Sequence, residues 1–121
     1  MKKGKHLGEY SFRVTSFRAR EDGKLDVTWE GNVTSFGFVI CTMTCVIEDG
    51  KSGQYDLHEF AYLDDGRITS ASAEEGKYES IGKFRWSTAS AVKVNGFGTF
   101  IEEGVMELAA RTWTGKFYEA V

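Results

Sequence analysis

The chain has 121 residues, a formal net charge of −3 and a sequence pI near 5.4. One-domain length, no apolar run near the ~18 residues of a membrane helix, and no basic patch of the kind nucleic-acid binders carry exclude a multidomain assembly, a helical membrane protein and a DNA or RNA reader. Aromatic residues make up 14% and proline is absent, so strands are favoured and the turns between them fall to fourteen glycines.

The chain opens on Met1-Lys2-Lys3-Gly4-Lys5-His6. Residues 1–8 read as a frayed basic tail, and residues 9–121 as one β domain. No apolar segment follows the tail in the manner of a signal peptide, which predicts a cytoplasmic protein. Strands are predicted near 9–20, 24–33, 36–48, 53–63, 67–74, 82–94, 97–103, 105–113 and 115–121. Tyr10, Phe12 and Val14 alternate with polar neighbours, as do Leu25, Val27 and Trp29; a period of two with one apolar face marks a half-buried strand. Asp22-Gly23, Asp49-Gly50, Asp65-Gly66 and Asn95-Gly96 are hairpin signals of the type I′ kind. Glu30-Gly31, Glu75-Gly76, Glu103-Gly104 and Thr114-Gly115 mark further breaks or bulges. Strands this numerous, joined by tight turns, predict an antiparallel up-and-down barrel of about eight strands, with a β-sandwich as the alternative.

The stretch Phe36 to Ile47 is apolar on both faces, with Phe36, Phe38, Ile40 and Val46 on one and Val39, Cys41, Met43, Cys45 and Ile47 on the other. Its outer face needs a cover, either a second copy of the chain, giving a homodimer through 36–47, or the N-terminal arm. Cys41 and Cys45, four residues apart on a strand, lie ~13 Å apart, beyond disulfide reach, and read as buried reduced thiols.

In 53–63, Tyr55, Leu57, Ala61 and Leu63 share a face with Glu59. If that face is the lumen, Glu59 is a buried carboxylate of raised pKa and a candidate catalytic acid or base. His58 lies on the opposite face beside Asp56. In 82–94, Phe84 and Trp86 share the apolar face. The segment 105–113 has a helical spacing of apolar residues but reads as a strand between two glycine breaks; Glu107, Arg111 and Trp113 then share one face, with Arg111 able to meet an anionic or carbonyl group and Trp113 as a wall. Tyr10, Tyr55, Tyr78 and Tyr118 are each candidates to aim a hydroxyl into a cavity. No Gly-rich phosphate loop, nucleophile elbow or zinc motif occurs, so no cofactor and no metal are expected.

Gly82-Lys83-Phe84-Arg85-Trp86, Asn95-Gly96 and the run Glu102 to Lys116, about a third of the chain, resemble small bacterial calycin-like, allene-oxide-cyclase-like barrel proteins. The resemblance implies an eight-stranded barrel with a small apolar lumen, in a group whose members bind or cyclise small hydrophobic molecules. It carries no catalytic residue over by position. The leading expectation is therefore a binding module for a small apolar or aromatic molecule, lined by Tyr55, Phe84, Trp86, Glu107, Arg111, Trp113 and Tyr118. The alternatives are a cofactor-independent cyclase or isomerase acting through Glu59, and a filled barrel acting as a dimeric interaction protein. A ligand lumen calls for a cavity of about 300 Å³.

Overall fold

The computed structural model describes residues 2–121, so Met1, at the head of the expected tail, lies outside the described residues. Eight strands hold most of the chain: β1 (Lys3–Ala19), β2 (Lys24–Val33), β3 (Gly37–Val46), β4 (Ser52–Tyr62), β5 (Ile68–Gly82), β6 (Arg85–Val94), β7 (Gly98–Glu107) and β8 (Thr112–Ala120). Each pairs antiparallel with the next, and β8 returns to β1 to close a barrel. Closure gives both outer strands a partner for backbone groups that an open sheet would leave exposed. No helix among the described residues is long and apolar enough to cross a membrane.

The alternating side chains sort as the period of two requires. Tyr10, Phe12, Val27, Trp29, Val39, Cys41, Met43, Tyr55, Leu57 and Trp113 are buried in one central cluster. Fully burying a side chain of Val, Leu or Phe size contributes roughly 1.5–3 kcal/mol, so this interior face sets the register of every strand. Cys41 and Cys45 sit in it as free, buried thiols. Burial pushes the Cys45 thiol up to about 12, which keeps it neutral.

Several expectations need correction. The segment expected to fray forms the barrel seam: Lys3, His6 and Gly8 pair with Ala120, Tyr118 and Phe117. Its backbone gives it a place that its basic side chains did not reveal. The four Asx-Gly pairs all lie in hairpin connections, but not as type I′ turns. Gly23, Gly50, Gly66 and Gly96 take positive φ (80°, 74°, 90° and 83°) while the residue before each does not. The carboxylates of Asp22, Asp49 and Asp65 instead accept backbone N–H groups of Lys24, Lys51 and Arg67, so the aspartates cap the loops and only the glycines turn left-handed. The 67–74 strand does not stop at 74: β5 runs on to Gly82, bulged between Ser72 and Lys77, with Glu75 at φ 57°.

The segment 105–113 is neither one strand nor a helix. β7 continues through Gly104 to Glu107, the chain turns over residues 108–111, and β8 begins at Thr112. Gly104 and Gly115 are not breaks but register partners across β7–β8. A Cβ on either would collide with the Tyr10 hydroxyl; they are glycine because a tyrosine from β1 needs their space.

On β3, Phe38, Ile40 and Val46 face outward, but Phe36, which alternation puts on the same face, does not. The β2–β3 loop, with Ser35 at φ 70° and Gly37 at φ 79°, rolls it over the end of the barrel, where it packs edge-on against Phe97 and Phe100 and tilted against Phe117. The outer face continues across β4: Phe38 pairs with Tyr62 and Ile40 with Phe60. Phe60 and Ile68 are 55% and 61% exposed, leaving an uncovered apolar band.

Candidate functional site

The lumen is divided. Trp29 and Trp113, with ring centroids 5.5 Å apart, separate two lobes that share no lining residue. One lies toward the 34–36, 63–67 and 95–97 connections and has a volume of about 70 Å³. The other, toward the opposite connections, has about 170 Å³. Neither reaches the roughly 300 Å³ of an ordinary ligand pocket; the barrel is more filled than the lumen expectation supposed.

The smaller lobe carries the chemistry. Its walls are apolar (among them Phe12, Phe36, Val39, Leu57, Val92 and Phe117), and two carboxylates enter it, Glu59 and Glu102. Glu102 is 5% exposed and accepts four hydroxyl hydrogen bonds. Tyr10 and Thr88 donate to Oε1, the latter at 2.9 Å; Tyr55 and Ser90 donate to Oε2 at 3.0 and 2.8 Å. Thr88 is oriented in turn, since its oxygen accepts the Trp113 indole N–H at 3.0 Å, so its single proton is left for Glu102. Four donors occupy the acceptor sites of a carboxylate. Burial pushes the Glu102 carboxyl above the ordinary range, and the four hydroxyls pull it back. Burial and the nearby Glu102 charge also raise the Tyr10 and Tyr55 phenols, which therefore remain donors.

Glu59 is the opposite case. It stands across β3–β4 from Cys41 and forms no ion pair among the described residues. Burial pushes its carboxyl up to about 7; the Cys41 thiol pulls it down, and the charge of Glu102 raises it further. One lobe thus contains a carboxylate saturated by its own scaffold and a second with acceptor capacity to spare, poised between charged and neutral near physiological pH.

The other residues predicted for the lumen divide among several places. Tyr55 and Trp113 are inside, Trp113 as a wall of the acidic lobe and Tyr55 as a donor to Glu102. Trp86, Glu107 and Arg111 line the larger lobe instead. Trp86 donates to the Gly50 carbonyl at 2.7 Å, Glu107 pairs with Arg85 at 3.2 Å, and Arg111 sits in the β7–β8 turn at φ 56° rather than on a strand face. Phe84 and Tyr118 are not in the lumen. Phe84 is 53% exposed in the tight β5–β6 turn, where its φ of 58° breaks the alternation that carries Trp86 inward, and Tyr118 faces out beneath the Lys3 ammonium and beside His6, because Trp113 and Phe117 set the inward parity of β8. Tyr78 is buried but gives its hydroxyl to the Val46 carbonyl.

Glu102 itself was missed. Glu102-Glu103-Gly104 reads as a charged break, yet Phe100, Glu102 and Met106 share one parity, and that parity was the available signal. Among the described residues, no three His, Cys, Asp or Glu side chains are grouped to hold a metal ion. Comparison with models of known families, with curated proteins and with solved structures returned no match.

Proposed function

We propose that the barrel binds a small, largely apolar molecule carrying one polar group, seated in the acidic lobe with that group on Glu59. The observation that carries this reading is a carboxyl raised to about 7 in an apolar cavity with no cationic partner. The volume admits a few atoms as it stands, and a ring enters when the Phe36 side chain, packed at the mouth against Phe97, Phe100 and Phe117, swings aside. The eight-stranded meander supports the calycin-like reading of the chain, and the free thiols of Cys41 and Cys45 support a cytoplasmic one. Phenol is a suitable probe because its hydroxyl donates to an ionised carboxylate. At pH 8 it should raise the melting temperature, and Glu59→Gln should weaken its binding about 10-fold or more, the range of a hydrogen bond to a charged group. Equal binding by both proteins would remove Glu59 from the site. Native mass spectrometry of fresh protein would reveal a co-purified ligand.

The same titration favours a second reading, cofactor-independent proton transfer by Glu59 as general base, since a base poised near the working pH is the effective one. Deuterium exchange into cyclohexanone, followed by NMR, should then rise with pH through an inflection near 7 and vanish in Glu59→Gln.

The apolar band on β3–β4 supports a homodimer. Phe60→Lys, on an exposed position, should yield a soluble monomer in sedimentation velocity where the wild type sediments as a dimer. An unchanged sedimentation coefficient would reject this interface.

A further inference from the structure

The larger lobe contains an unmet demand. Among the described residues, one buried side-chain polar atom lacks a hydrogen-bond partner, the indole Nε1 of Trp29, and Trp29 is a wall of this lobe at 4% exposure. A buried donor left unpaired costs about 1–3 kcal/mol, and no group lining the lobe is bonded to it. Of its oxygen-bearing side chains, Tyr78 is committed to the Val46 carbonyl and Glu107 to Arg85. Of the rest, the Arg111 guanidinium is a donor only, and Val14, Leu25, Val27 and Met106 are apolar.

The volume is suggestive. A dry apolar cavity of about 150 Å³ holds a benzene ring, and this lobe measures about 170 Å³. Its mouth is apolar as well: Phe17, Ile47 and Leu108 line it and are substantially exposed.

We propose that this lobe is a second ligand site, taking a single-ring apolar molecule with a carbonyl or ether oxygen that accepts the Trp29 N–H. It is independent of the Glu59 site, because Trp29 and Trp113 stand between them.

Acetophenone and ethylbenzene are matched probes, with and without the oxygen. In ¹⁵N-labelled protein the three tryptophans give three indole signals, and Trp29→Phe assigns the relevant one. Acetophenone should shift the Trp29 N–H saturably downfield, with smaller changes at Trp86 and Trp113, whose donors are already engaged. Trp29→Phe should weaken acetophenone about 2–10-fold more than it changes ethylbenzene, the worth of one neutral hydrogen bond, since both probes meet the altered wall and only acetophenone loses the donor. Glu59→Gln should alter neither, so failure of the acidic-lobe reading leaves this result intact. Should Trp29→Phe not fold, Leu25→Trp, which fills the lobe from its half-buried edge, should abolish binding of both probes. No shift at Trp29 up to the solubility of acetophenone would overturn the proposal. So would a bound-water cross-peak at this N–H that acetophenone does not displace.

Discussion

Glu59→Gln should stabilise the barrel by roughly 3 kcal/mol at pH 8 and change it little at pH 4. Unfolded, the carboxyl titrates near its ordinary 4.5; folded, at about 7. Between these values the native state holds a proton that the unfolded state releases, so stability falls as pH rises. It is intact below 4.5, declines across the interval, and the full cost of burying the charge is present above 7. Glutamine keeps the shape and cannot ionise, so its curve lacks that decline. Glu102 is raised in the same direction but is present in both proteins, and the difference between them isolates Glu59. Urea unfolding at pH 4, 6 and 8 measures it. Parallel curves would mean that Glu59 is solvated in the folded state and that the acidic lobe is not the dry site its lining suggests. This stability cost is itself an argument for function, since an apolar residue would fill the same position with none.

Glu102→Ala should destabilise by about 4 kcal/mol or more, because four hydroxyls lose one shared acceptor and a cavity opens beneath them. Glu102→Gln should cost less, about 1–2 kcal/mol. The amide oxygen keeps two acceptor sites, and two hydroxyls must turn to accept from the new NH₂ group. The order Ala well above Gln is the test, read from equilibrium unfolding. Near-equal losses would show that ionisation, rather than hydrogen-bond count, holds the cluster together. The Trp113 indole would report it as well, since its N–H rests on Thr88, and a loosened Thr88 should release that proton to faster exchange.

The contrast between Glu59 and Glu102 also shows how far the sequence could be read. Glu59 was legible as a candidate because β4 alternates cleanly: Tyr55, Leu57 and Ala61 mark the more apolar face, and Glu59 falls in step with them. Glu102 was hidden by its neighbours, Glu103 and Gly104, which look like a solvent turn. Its partners come from β1, β4 and β6, at sequence separations of 92, 47 and 12–14, and no local pattern can announce a hydrogen-bond set assembled by closure. Gly104 and Gly115 were misread for the same reason, their purpose being set by Tyr10 on a third strand.

What the sequence by itself determined is the all-β class, the meander of short connections at the Asx-Gly pairs, the buried thiols, and which residues share a face on each cleanly alternating strand. These follow from local physics: glycine's access to positive φ and the two-residue period of an extended chain. The tertiary structure alone decided that residues 3–8 complete the seam and that Phe36 turns inward. It also decided that Phe84 and Tyr118 turn out, and that tryptophans from β2 and β8 partition the lumen. Each depends on which strands become neighbours when the sheet closes, and that adjacency is a property of the whole barrel rather than of any segment.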